Sequence, residues 1–151
     1  MASCSFFGQD KMTDEEKEDI KNRLRQNILK LIYENDVSEF WFAPYSDFDH
    51  LAAEVVKELK EEFGSLVMVL SLPHISQERK KHVQDKYGGS FDYIDYAEPA
   101  PEDTPPHLLL LQSYELMIKR TDFLMSYSRI GFIQPETFYK AYNPNIKLIR
   151  I

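Results

Sequence analysis

Leu66-Val67-Met68-Val69-Leu70 is the segment that most narrows what this chain can fold into: five apolar residues in a row, with no position left for water. A strand wetted on one face alternates apolar with polar, whereas a short unbroken run belongs to a strand covered on both faces. Such a strand needs helices above and below it. Just upstream, Phe48, Leu51, Ala52, Val55, Val56 and Leu59 recur at helical spacing, the strongest stripe in the sequence, and Gly64 ends it. Earlier still, Ser3–Phe7 is a short apolar run that meets Gly8 at once, the pattern of a buried strand with a tight exit. Thr13-Asp14-Glu15-Glu16 has the form of a capping box, with acids where the helix dipole favours them. Ile20, Leu24, Ile28, Leu31 and Ile32 then mark one apolar helix face. Glu39–Ala43 is a second strand candidate, broken by Pro44-Tyr45-Ser46-Asp47, where Ser46 or Asp47 can cap the next helix.

The stretch from Pro73 to Pro106 differs in character. It holds His74, the charged run Glu78-Arg79-Lys80-Lys81-His82, the pair Gly88-Gly89 and a proline-rich segment. It has room for a short helix around Ser76–Lys86 and an extended piece at Phe91–Tyr96, and so long a connection in a small domain is usually functional or mobile. Thr104 caps a further helix with Pro105 at its first position, and Leu108, Leu111, Glu115 and Ile118 follow its turns. Asp122–Tyr127 is the fourth strand, Gln134-Pro135-Glu136 opens a short helix running to about Tyr142, and Ile146–Ile151 is the last strand. Strand–helix alternation of this kind builds a parallel sheet with helices on both faces. The expectation is one α/β domain over residues 1–151, a three-layer Rossmann-like unit around a mainly parallel sheet of about five strands.

Charge bounds the partners. The 151 residues carry a formal net charge of −7, which repels phosphate backbones and argues against nucleic acid as a partner. No apolar run approaches the ~20 residues of a membrane-crossing helix, and the first residues lack the pattern of a signal peptide. The single cysteine, Cys4, excludes an internal disulfide framework and a multi-cysteine zinc site, so a cytoplasmic setting is expected. The four histidines show no metal-ligand spacing, and no metal or cofactor is expected.

In a parallel sheet of this type, ligands sit beyond the carboxyl ends of the strands, at the point where strand order reverses. That rule singles out Gly8–Lys11, Pro44–Asp49, Leu72–Ser76 and Ser128–Pro135. Gly8 and Gln9 follow the first strand, where a glycine permits either a plain turn or close backbone approach to a phosphate. Tyr45, Ser46 and Asp49 surround the start of the best helix. Capping accounts for Ser46 and Asp49, and Asp49 is alternatively placed to accept a hydrogen bond from a ribose hydroxyl. Tyr45 can stack on a base or simply pack. His74 is a loop histidine or a ligand contact, and Glu136 is a candidate catalytic carboxylate, for nucleophilic or acid–base work.

The arrangement resembles the SLOG superfamily, small bacterial Rossmann-like relatives of the YpsA and LOG (lysine-decarboxylase-like) groups. Phe6-Phe7-Gly8 is similar to that family's Phe-Phe-Gly-His-Arg start, and Phe40–Asp49 to its second strand and Gly-Asn-Gln-Gly-x-Phe-Asp turn. Val55–Lys60, Asp92–Pro106 and Met117–Asp122 resemble later segments in the same order. The family's His-Arg stands here as Gln9-Asp10, its glycine-bearing turn as Ala43–Asp47, and its last Gly-Gly loop as Gly131 alone. Only Gly8, Asp49, Gly131 and Glu136 carry over. Each lost cation removes a charge-assisted hydrogen bond worth roughly 1.5–3 kcal/mol.

The leading expectation is therefore a SLOG-like ligand-binding or regulatory module that keeps the scaffold without the usual nucleotide-phosphate site. It would serve a small nucleotide-derived ligand or a protein partner. The resemblance also implies an alternative, hydrolysis or transfer of a nucleoside or nucleotide N-glycosidic bond, with Glu136 catalytic and Asp49 on the ribose. Homo-oligomerisation is a third, suggested by the run Leu108–Leu111.

Overall fold

Strand and helix alternate along all of the described chain, residues 2–128 and 139–151 of a computed structural model. The order is β1 (Ala2–Gly8), α1 (Asp14–Asn35), β2 (Val37–Phe42), α2 (Asp47–Glu62), β3 (Val67–Leu72), α3 (Gln77–Tyr87), β4 (Tyr93–Tyr96), α4 (Pro106–Arg120), β5 (Phe123–Tyr127), α5 (Tyr139–Tyr142) and β6 (Lys147–Arg150). All strand pairs are parallel, in the order β4-β3-β2-β1-β5-β6. The sheet thus has six strands rather than about five. The extended piece at Phe91–Tyr96 supplies the extra one, because Tyr93 to Tyr96 pair with Val69 to Leu72 along the edge of β3.

The strand order places the helices. Parallel crossovers are right-handed, so the march from β1 out to β4 lays its helices on one face and the return through β5 to β6 uses the other. The side chains follow this division. Phe6, Phe40, Phe42, Met68 and Met125 join Ile20, Leu24, Phe48, Val55 and Leu59 in one core beneath α1 and α2. Trp41, Ala43, Val69 and Leu124, on the opposite pleat, join Tyr114, Met117, Ile118 and Tyr139 in a second core beneath α4 and α5. Each fully buried side chain of this size contributes roughly 1.5–3 kcal/mol, so the double-sided burial foreshadowed by Leu66–Leu70 is what holds the three layers together.

Local signals fix the helix ends. Thr13 and Glu16 form the reciprocal capping box of α1, and Ser46 and Asp49 that of α2. α1 stops at Asp36, whose φ of 55° is left-handed and returns its N–H to the Leu31 carbonyl.

Two details of α4 depart from expectation. Its cap is Pro105 and its first helical residue Pro106, one residue later than the Thr104–Pro105 start, because the Thr104 N–H is committed to the Pro101 carbonyl of the preceding turn. Its buried face is Ser113, Tyr114, Met117 and Ile118, whereas Leu108, Leu110 and Leu111 are each about two-fifths exposed. Of the expected stripe of Leu108, Leu111, Glu115 and Ile118, only Ile118 lies on the buried face. A run of consecutive leucines carries no phase of its own, and the face was set instead by a serine-lined floor. Ser5 Oγ meets Thr121 Oγ1 at 2.8 Å, and Ser71 Oγ donates to the Ser113 carbonyl at 2.7 Å. These small hydroxyls let α4 approach β1 and β3 closely without leaving polar atoms unpaired.

Candidate functional site

Strand order reverses at β1, which pairs with β2 on one side and β5 on the other. The crest beyond β1, β2 and β5 is therefore where a ligand would be sought. Gly8 ends β1 there. A Cβ at this position would lie 2.6 Å from the Phe48 ring and 2.6 Å from the Tyr127 carbonyl oxygen. The glycine makes room for the chain's own aromatic ring and backbone.

The amides of the α2 N-terminus, an obvious anion cradle, are all engaged by the chain itself. The N–H groups of Asp47 and Phe48 donate to the Asp10 and Gln9 carbonyls at 2.8 and 3.2 Å. Asp49 N–H donates to Ser46 Oγ at 3.0 Å, and His50 N–H to the Ser46 carbonyl at 3.1 Å. Gln9 in turn donates its N–H to the Tyr127 carbonyl at 2.9 Å, and Asp47 Oδ2 accepts from Met12 N–H at 2.8 Å. The start of α1 offers no better cradle, since its first turn carries Asp14, Glu15 and Glu16. Glu16 also accepts from the Tyr127 hydroxyl at 2.8 Å, tying α1 to the end of β5.

Above β1 and β2 the two helical layers meet. Tyr114, projecting from α4, donates its hydroxyl to Asp49 Oδ2 on α2 at 2.6 Å. Beside it, the Tyr45 and Ser113 hydroxyls lie 2.8 Å apart. The Phe7 ring meets the Tyr114 ring edge-on with centroids 4.7 Å apart, and Tyr45 leans against Tyr114 at 5.9 Å. Asp49 is wholly buried, and its Oδ1 has no hydrogen-bond partner. Burial pushes the carboxyl up to about 7, against the opposing pull of the Tyr114 and Ser46 hydrogen bonds. Tyr114 is raised well above the ordinary phenol range by burial first and by the Asp49 charge second. Among the described residues, the crest above β1 and β2 is thus occupied by an aromatic and carboxylate plug.

Of the residues singled out from sequence, Tyr45, Ser46 and Asp49 come together in this plug, and Gly8 and Gln9 abut it through Phe48. Gln9 and Ser46 are buried. His74 is not part of it: its side chain is exposed and its N–H donates to Gln112 Oε1 at 3.3 Å. Gly131, Glu136 and the helix start at Gln134-Pro135 lie outside the described residues. Tyr114, Ser113 and Gln112 were not anticipated. Their only sequence trace is that Tyr114 falls at helical spacing from Met117 and Ile118.

A separate groove of about 410 Å³ runs between α4 and the loop after β4, with Pro99, Pro101 and Leu116 on its apolar side. Its charged rim includes the Glu115–Lys119 pair at 2.7 Å, so Glu115 is engaged in a helix-surface ion pair. Among the described residues no group of three or more His, Cys, Asp or Glu is placed to hold a metal, and no helix is long and apolar enough to cross a membrane. Compared with known proteins, the chain matches no family model and no curated protein.

Proposed function

We propose that this chain is a SLOG-like binding or regulatory module that has kept the Rossmann-like scaffold and given up the nucleotide-phosphate site, working through a less charged ligand or a protein partner. The observation that carries this reading is the self-occupied N-terminus of α2, whose amides are bonded to Asp10, Gln9 and Ser46. A phosphate arriving there would displace hydrogen bonds already made, each worth roughly 0.5–1.5 kcal/mol net, and would face the carboxylate of Asp47. Desolvating an anion against fixed negative charge adds a further cost, and Lys17, 3.9 Å from Asp47, is already drawn to that carboxylate.

The N-glycosidic alternative loses support at the same place. For Asp49 to hold a ribose hydroxyl, the ligand would have to reach an oxygen that is sealed in the interior. Isothermal titration against a panel of nucleoside mono-, di- and triphosphates and ADP-ribose tests the reading. The expected result is no phosphate-dependent heat at millimolar ligand. Phosphate-dependent binding at micromolar or tighter dissociation constants would overturn it.

A further inference from the structure

We propose that Asp49 and Tyr114 form a proton-operated clasp across the carboxyl-terminal edge of the sheet, closed while Asp49 keeps its proton and opened by its ionisation. The geometry is that of a latch rather than of ordinary packing. α2 and α4 lie on opposite faces of the sheet, and at this edge the side-chain pairs Tyr114–Asp49 and Tyr45–Ser113 join them over the top of β1 and β2. One end of the latch is a carboxylate with no exposure and with one oxygen unpartnered. A neutral carboxylic acid leaves an uncharged oxygen or hydroxyl unpaired there, at the desolvation cost of a neutral polar group. An ionised one carries charge on Oδ1 with no donor to meet it, and relief comes only from water. Water reaches Oδ1 only if the β2–α2 corner parts from the first turns of α4.

The donors that favour the ionised form leave Oδ1 unmet. From α4, Asp49 meets the Tyr114 hydroxyl, and from its own cap it meets the Ser46 N–H at 3.3 Å. Tyr45, whose backbone also reaches toward the carboxylate, is itself raised by burial and stays neutral over the same pH range. From β1 the neighbour is the Phe7 ring packed on Tyr114. On α2 itself, Asp47 is bonded to Met12 and adds only negative charge, and His50 faces outward as an exposed side chain. Among the described residues no cation pairs with Asp49. The first turns of α4 are suited to move, since Leu108, Leu110 and Leu111 are exposed and Pro105 provides no side-chain cap.

Linkage sets the size of the effect. Between the ordinary carboxylate range and the raised value of about 7, an opening that frees the carboxylate becomes about tenfold more favourable per pH unit. Hydrogen exchange, corrected for intrinsic rates, reads this directly. In the wild type, amides of residues 45–50 and 108–114 should lose more than tenfold protection between pH 5.5 and 7.5, while amides of β2 and β3 stay unchanged. Asp49→Asn should abolish that pH dependence. Tyr114→Phe should raise exchange of the same amides already at pH 5.5. A wild-type change below threefold, the same pH dependence in Asp49→Asn, or no effect of Tyr114→Phe would each overturn the clasp. Carbon-13 carboxyl NMR of the wild type needs no variant to fold: an Asp49 midpoint near 7 supports the proposal, and one below 5 refutes it. None of these outcomes depends on which ligand or partner the module takes.

Discussion

Asp49→Asn offers the sharpest test of how the crest is built, because the buried carboxyl should leave its mark on global stability as well as on local opening. Its ordinary value is 3.8 and burial pushes it up to about 7. In that interval the folded chain holds a proton that the unfolded chain has released, so stability falls as pH rises, from about pH 4 until it levels off near pH 7. At about 1.4 kcal/mol per pH unit, the full interval is worth about 4 kcal/mol. Between pH 5 and pH 8 the loss comes to about 2–3 kcal/mol, a large share of the roughly 5–15 kcal/mol that stabilises a domain. Asparagine cannot ionise, so the variant should lack this component whatever its absolute stability. Its buried amide leaves a donor to satisfy, at about 1–3 kcal/mol, so the variant is expected to be less stable than wild type at pH 5 and to close or reverse the gap at pH 8. Urea denaturation of both chains at the two pH values gives a double difference in which the other titrating groups cancel. A melting experiment would show the same effect as roughly 5–10 °C. A double difference under about 1 kcal/mol would refute the assignment of Asp49 as a buried, mostly neutral acid.

Two further substitutions probe the same crest. Gly8→Ala would normally gain about 0.4–1 kcal/mol by restricting the unfolded chain, but here the new Cβ meets the Phe48 ring and the Tyr127 carbonyl at 2.6 Å. A net loss of about 1–3 kcal/mol is expected in urea denaturation, and stability equal to wild type would show that the glycine is not required by packing. Ser46→Ala removes the acceptor for Asp49 N–H in the α2 capping box and should cost about 1–2 kcal/mol by the same assay, at the upper end for a cap because this one is buried. A cost under about 0.5 kcal/mol would mean that backbone bonds from the β1 loop hold the helix end unaided.

Much of the fold can be read from spacing alone. The capping boxes at Thr13 and Ser46, the stripe from Phe48 to Leu59 and the unbroken run at Leu66–Leu70 each carry information within a few residues, so local chemistry determines those elements. β4 was less legible, since Tyr93-Ile94-Asp95-Tyr96 becomes a strand by pairing with β3 rather than through strong patterning of its own. The phase of α4 was illegible for a different reason: four successive leucines satisfy every rotation of the helix, and the choice fell to Ser5 and Ser71 on strands far away in sequence.

The candidate site divides in the same way. That Ser46 or Asp47 would cap a helix follows from their place just before the stripe that starts at Phe48, which is the chemistry of one turn. That Asp49 would be sealed from water and bonded to Tyr114, 65 positions along the chain, has no local signature. The amino-acid order settled which segments are strands and helices and that the sheet is covered on both sides, because those properties arise from neighbours a few residues apart. Closure of the layers decided that Asp49 would be covered rather than open, because a carboxylate's environment is made by whatever the fold brings over it.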